Sequence, residues 1–238
     1  MVQCSLPMSL KDMDTFLECN LPLGKKPLTL KWVFAIKTDA DGQIIHGKEK
    51  ACVVAQGYHQ QPEDFGATAA PVAKLSSVRI VLAWAALQDL EIYQFDCKTA
   101  FLHAKLCHDV YCHPVPGLPM SRPGRVLKIV AALYGLRQSA YKFYMLFFNL
   151  LLTIGLSRCS VDHSVFYGEW TSPPDPSVPM PVDGSLLFLI IPIHVDDGLG
   201  ITNSSYLYKW FLNSLSQCLH IVDLGPCAKF LNMVIIRD

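Results

Sequence analysis

The chain is 238 residues long, 51% apolar and 17% charged, with no formal net charge, a composition that excludes a disordered chain and leaves room for one large domain or two subdomains sharing a core. Nine scattered cysteines, an odd number, and the absence of an export signal in Met1 to Pro7 point to reduced thiols in an intracellular protein, cytoplasmic or nuclear. The longest apolar stretches, Phe143 to Leu156 and Leu186 to Val195, fall short of the about 20 residues of a membrane helix, so no membrane partner is expected.

Residues 1–20 read as a poorly defined N-terminal extension, and loop continues to the basic turn Leu23-Gly24-Lys25-Lys26-Pro27. Leu30 to Lys37 alternates as a strand, Asp41-Gly42 signals a hairpin, and Lys50 to Gln56 is the returning strand. Residues 58–73 are irregular, with Pro62 and Pro71. Ser76-Ser77 is expected to cap a helix over Val78 to Leu87 that is apolar on every face and therefore buried. A strand from Leu90 to Phe95 ends at Asp96, and Phe101-Leu102 opens a short turn or helix. Tyr111 to Pro123 reads as loop and Val126 to Val130 as a short strand. A long helix then runs from Ser139 to Ile154, stopped by Gly155.

Ser164 to Gly168 and Leu186 to Val195 are expected to pair as strands, joined by an exposed loop holding Pro173, Pro174, Pro176, Pro179 and Pro181. Gly198 to Thr202 returns from the Asp196-Asp197 tip. A helix near Tyr206 to Cys218, the block Asp223-Leu224-Gly225 and a last strand around Phe230 to Ile236 complete the chain. Strand–helix–strand–strand–helix–strand is the order of a ferredoxin-like split unit.

Adjacent carboxylates at the end of a buried strand repel one another and resist desolvation, so Asp196 and Asp197 invite a divalent cation. Asp96 ends a second apolar strand, and three aspartates on two strand ends fit two-metal phosphoryl-transfer chemistry. The alternative for each aspartate is a cap or turn residue. Charge is zoned. Residues 96–160 carry Lys98, Lys105, Arg122, Arg125, Lys128, Arg137, Lys142 and Arg158 against Asp96 and Asp109, whereas residues 161–200 hold six acids and no Lys or Arg. A basic surface beside an acidic site fits a nucleic-acid partner; uneven sampling of solvated faces is the other explanation. Cys107-His108, Cys112-His113 and His103 do not follow a usual zinc spacing.

A series of blocks carries a resemblance. It begins with Lys31-Trp32-Val33-Phe34, Ala40-Asp41-Gly42, Val54-Ala55-Gln56-Gly57-Tyr58-His59-Gln60 and Ala70-Pro71-Val72. It continues through Phe95-Asp96-Cys97-Lys98-Thr99-Ala100-Phe101-Leu102-His103 and Leu133-Tyr134-Gly135-Leu136-Arg137-Gln138. Asp162-His163-Ser164-Val165-Phe166, Val195-Asp196-Asp197, Asp223-Leu224-Gly225 and Phe230-Leu231 close it. In order and spacing, over roughly residues 20 to 238, this resembles the reverse transcriptases of copia-type retrotransposons.

The resemblance implies an α+β polymerase fold. Fingers span about 21–75 and a palm about 76–238, the palm being a ferredoxin-like antiparallel sheet with helices packed on one face; thumb and RNase H are missing. It implies an RNA-directed DNA polymerase that transfers a nucleotide from a dNTP to a primer 3′-hydroxyl, on an RNA or DNA template. Asp96 and Asp196 would bind two Mg²⁺ ions, for which Mn²⁺ can substitute, with Asp197 supporting and the backbone carbonyl of Cys97 a further ligand. Phe101 would meet the sugar C2′, Gly135 would allow close approach of nucleotide or template, and Lys50 with Lys48 would reach the triphosphate.

Several positions depart from the family pattern. His194 stands where Tyr is usual, Cys52 replaces an arginine, Ala140 a proline and Asn232 a glycine. A cysteine cannot grip phosphate bidentately as an arginine can. A truncated, partly degenerate copy is therefore expected, the alternative being a catalytically inactive nucleic-acid-binding remnant.

Overall fold

The computed structural model describes residues 14–36, 43, 50–117 and 120–236. In chain order they form β1 (Phe16–Cys19), β2 (Leu30–Ala35), β3 (Lys50–Ala55), α1 (Leu75–Leu87), β4 (Glu91–Cys97), β5 (Lys105–Cys112), β6 (Val126–Ala131) and α2 (Ser139–Thr153). There follow β7 (Ser157–Arg158), β8 (Val165–Trp170), β9 (Leu187–His194), β10 (Asp197–Thr202), α3 (Ser205–Ser216), β11 (Ile221–Pro226), β12 (Lys229–Phe230) and β13 (Met233–Val234). The fold is mixed α and β with antiparallel sheets. Among the described residues no helix is long and apolar enough to cross a membrane. The chain divides into two compact units: one joins the residues up to Ala69 with Phe101–Phe143, the other Ala70–Ala100 with those from Tyr144 onward.

In the first unit β2 and β3 pair antiparallel from Leu30–Ala55 to Ala35–Lys50, as their alternation predicts. The expected turn at Asp41-Gly42 lies outside the described residues. A second sheet runs β1-β6-β5. Two of its strands are corrections, since Phe16–Cys19 and most of Lys105–Cys112 were expected as loop or left unassigned. Four residues are too few to display a period, and in β5 the apolar alternation is broken by His108 and Asp109. Tertiary burial decides both: Val110 and Cys112 enter a core with Leu28, Val53, Ala55, Leu127, Ile129 and Leu133. Cys107 is exposed beside the Lys142 ammonium, Nζ to Sγ 3.1 Å, whereas Cys112 is buried.

In the second unit six strands pair antiparallel in the order β11-β4-β10-β9-β8-β7. Side chains alternate between the two faces. Leu199 and Ile201 of β10, with Phe188 and Ile190 of β9, pack against Val78 and Ala85 of α1. The opposite face carries Phe95 of β4, whose ring meets Phe211 of α3 at 5.7 Å. That ring passes beneath β10 at Gly198, where a Cβ would stand 2.2 Å from it. Phe166, opposite Ile191 on that face, meets Phe148 of α2. The expectation of helices on one face is thus corrected. The helices α2 and α3 share a face, while α1 covers the other, which is why β10 is buried along nearly its whole length instead of alternating.

Three local expectations also change. The helix α1 begins at Leu75 and its N-cap, Lys74, supplies no side-chain bond, so Ser76-Ser77 is not the cap. The last strand is replaced by the hairpin β12–β13, whose turn residues Leu231 (φ +46°) and Asn232 (φ +64°) are both left-handed. Asparagine is one of the few residues that tolerates this conformation, so Asn232 is an adequate stand-in for glycine. The proline-rich segment 171–186 holds no helix or strand, yet Val178 is buried.

Candidate active site

The register of the second sheet builds the carboxylate tip. Asp96, at the end of β4, lies opposite Asp197, the first residue of β10, and Asp197 also pairs with His194 of β9. Val195 and Asp196 are therefore the two residues of a tight hairpin turn. The Cys97 amide donates to the Asp196 carbonyl at 2.9 Å and ties the turn to β4. Val195 has φ +62° whereas Asp196 is not left-handed, the pattern of a turn whose first position ordinarily takes glycine. A β-branched residue there is strained, by about 1–3 kcal/mol, and persists because the surrounding ladder holds it.

The electrostatics of this tip are those of crowded like charges. Burial raises the Asp197 carboxyl above the ordinary carboxylate range, Asp196 and Asp96 raise it further, and His194 and Lys98 pull it partly back. The buried Cys97 thiol is pushed up to about 12, first by burial and then by Asp96 and Asp196. Without a metal ion beside it the thiol is therefore in its protonated form. Asp96 forms an ion pair with Lys98, a partner that the sequence reading did not single out. The buried Nδ1 of His194 makes no hydrogen bond with the described residues.

The donors suit a hard divalent cation in kind, since they are carboxylate oxygens whose mutual repulsion a cation would relieve. In arrangement they are less closed. Among the described residues no three His, Cys, Asp or Glu side chains are grouped to hold a metal ion, and the Lys98 ammonium supplies the counter-charge to Asp96.

The other expected site residues belong to the first unit. Phe101 is buried, its ring 4.4 Å from that of Tyr134 and 6.2 Å from that of Phe143. Gly135 has φ +91°, and a Cβ on it would lie 2.0 Å from the Ala55 carbonyl oxygen. The close approach that demands glycine is thus made by β3 of the same chain, where the Ala55 amide also donates to the Tyr134 carbonyl at 2.8 Å. Lys50 opens β3 opposite Ala35, while its side chain and Lys48 lie outside the described residues. Cys52 is partly exposed on β3, opposite Val33.

Sequence reading also missed what the Arg137-Gln138 pair does. The Arg137 amide donates to Gln60 Oε1 at 2.8 Å, Gln60 Nε2 to Gln138 Oε1 at 3.0 Å, and Gln138 Nε2 to the Asp64 carbonyl at 3.2 Å. This buried network fastens residues 57–64 to the turn that carries Tyr134 and Gly135. Glutamines 78 residues apart give no local signal of it.

Over residues 13–238 the chain matches the family described as reverse transcriptase (RNA-dependent DNA polymerase). It is 32% identical over 232 residues to the retrovirus-related Pol polyprotein from transposon TNT 1-94 of Nicotiana tabacum, covering 97% of this chain and 16% of that one. It is 35% and 33% identical, over 205 residues in each case, to the Pol polyproteins from transposons RE1 and RE2 of Arabidopsis thaliana, covering 85% of this chain and 13% of each of those. The chain thus spans less than a fifth of the length of each of these three relatives. With the ordered motif blocks and the match along nearly its whole length, the chain belongs to the reverse transcriptase family, as a domain of the copia-type retrotransposon Pol polyprotein.

Proposed function

We propose that this domain is an RNA-directed DNA polymerase, joining a dNTP to a primer 3′-hydroxyl on an RNA or DNA template. The observation that carries this reading is Asp96 facing Asp197 across β4 and β10, with Asp196 at the adjoining turn. The strand order β11-β4-β10-β9 supports a ferredoxin-like palm, since it is the order that a split strand–helix–strand pair produces. The fingers would then take about residues 21–75 and the palm about 76–238.

In this reading Asp96 and Asp196 would hold two Mg²⁺ or Mn²⁺ ions, with the Cys97 carbonyl as a further ligand and Asp197 in support. Such ions acidify an attacking hydroxyl and neutralise a departing pyrophosphate. A cation bound by Asp96 would replace Lys98 as its counter-charge. The Phe101 ring, packed on Tyr134 and Phe143, is proposed to meet the sugar C2′. Gly135 is proposed to face nucleotide or template from its exposed side, and Lys50 the triphosphate.

The test is primer extension on an RNA template with Mg²⁺ or Mn²⁺. Synthesis that disappears in Asp196→Asn supports the polymerase. The Lys98–Asp96 pair and the loss of arginine at Cys52 favour a second reading, a catalytically silent nucleic-acid-binding remnant. No synthesis, together with salt-sensitive duplex binding, would select that one.

A further inference from the structure

We infer that Asp162 is a positioning residue for the carboxylate turn, acting as a buried clamp on the root of the β9–β10 hairpin. Asp162 is nearly inaccessible, and its side chain accepts hydrogen bonds from its own segment and from one 88 residues away. One oxygen accepts from the Lys74 amide at 2.8 Å and the other from the Ser164 amide at 3.1 Å, and the Ser77 side chain donates as well. The carboxylate thereby supplies the N-terminal cap that α1 lacks locally, at the end of the helix where a negative charge is favoured. Burial alone would raise its pKa, but the bonds from Ser77, Lys74 and Ser164 outweigh burial and hold it below the ordinary range.

The two segments that Asp162 fixes are the ones that grip Ile193. The Ile193 amide donates to the Ser164 carbonyl at 2.9 Å, and the Ile193 carbonyl accepts from the Ala73 amide at 2.9 Å. Ser164 is itself bonded to Asp162, and Ala73 is the residue before Lys74. One carboxylate therefore sets the position of both backbone partners of a single residue, Ile193, three residues from Asp196. The clamp matters here because Pro192 has no N–H. Pairing of β10 with β9 holds at Asp197–His194 and Gly198–Ile193, then resumes only at Ile201–Ile190. The strained turn at Val195 thus stands on two ladder pairs with a gap beyond them, and Ile193, the last residue paired before that gap, is held by its bonds to Ser164 and Ala73.

The consequence for the cation site rests on the function proposed above; the clamp itself does not. In Asp162→Asn the amide group must point an N–H at one of the two backbone N–H donors, so at least one bond is lost. Amide hydrogen exchange of the whole chain, followed for Ile193 to Gly198, reads the clamp without any metal. Exchange in this segment is expected to accelerate at least tenfold in Asp162→Asn while α3 keeps its protection. Unchanged exchange of Ile193 to Gly198 in a folded variant would overturn the proposal, as would acceleration spread equally over α3. Should Asp162→Asn fail to fold, Ser77→Ala removes one donor and leaves the carboxylate, and must show the same selective pattern on a smaller scale.

Mn²⁺ titration by electron paramagnetic resonance separates the two levels. Binding by the wild type that is lost in Asp196→Asn and weakened in Asp162→Asn supports both. Absence of binding by the wild type counts against the two-metal reading and leaves the exchange result to judge the clamp.

Discussion

Asp96 and Asp197 face one another in register across β4 and β10, and each stands at the end of its strand. Two carboxylates so placed destabilise one another until a cation intervenes, and Lys98 is the cation that the chain itself provides. The folded state therefore carries a cost at this tip.

Asp197→Asn is expected to stabilise the metal-free protein at neutral pH. The folded carboxyl has a raised pKa, so the folded state binds its proton more tightly than the unfolded state does. Stability from this group is fully present below the unfolded value, about 3.9, and is lost as pH rises through the raised folded value. Thermal melts should show the variant above the wild type at pH 7, with the gap closing in acid. Equal melting temperatures at pH 7 would contradict the crowding argument.

Val195→Gly should raise stability. It releases about 1–3 kcal/mol of left-handed strain against an entropic cost of about 0.5–1 kcal/mol for glycine. Urea denaturation should show a higher midpoint with an unchanged slope. A lower midpoint would mean that the valine side chain contributes packing that outweighs its backbone strain.

Gly135→Ala should destabilise by at least about 2 kcal/mol, because left-handed backbone and a clash with the Ala55 carbonyl act together. The same change at Gly24, which is also left-handed but open on all sides, lacks the clash and should cost less. Chemical denaturation of the two variants side by side checks the difference.

Cys52→Arg places a guanidinium at a partly exposed position of β3, where the family resemblance leads one to expect an arginine. If the chain polymerises, the KM for dNTP should fall by up to about tenfold with little change in kcat, since a phosphate grip made equally in ground and transition states is uniform binding. Steady-state primer extension at varied dNTP measures both. A rise in kcat at constant KM would place the arginine's effect in the transition state instead.

Much of the second sheet was legible in the chain because its strands are long, apolar and bounded by turn residues. Leu187–His194 and Asp197–Thr202 were expected within a residue or two, and Asp96 and Asp197 face one another in register. The strands Phe16–Cys19 and Lys105–Cys112 were not, because one is too short for a period and the other carries polar residues inside an apolar alternation. Lys98 and Asp162 escaped for a different reason. Their roles depend on partners brought close by the fold, and a lysine beside an aspartate or an aspartate before a strand has no distinctive local pattern.

The sequence by itself determined the family and which carboxylates stand at strand ends, since these follow from motif spacing and hydrophobic periodicity along the chain. Tertiary structure alone decided that α1 covers the opposite face from α2 and α3, that Gly135 is required by Ala55, and that Asp162 caps α1 while gripping the segments around Ile193. Each of these depends on desolvated contacts between residues tens of positions apart, where burial and hydrogen-bond satisfaction, not local propensity, choose the partner.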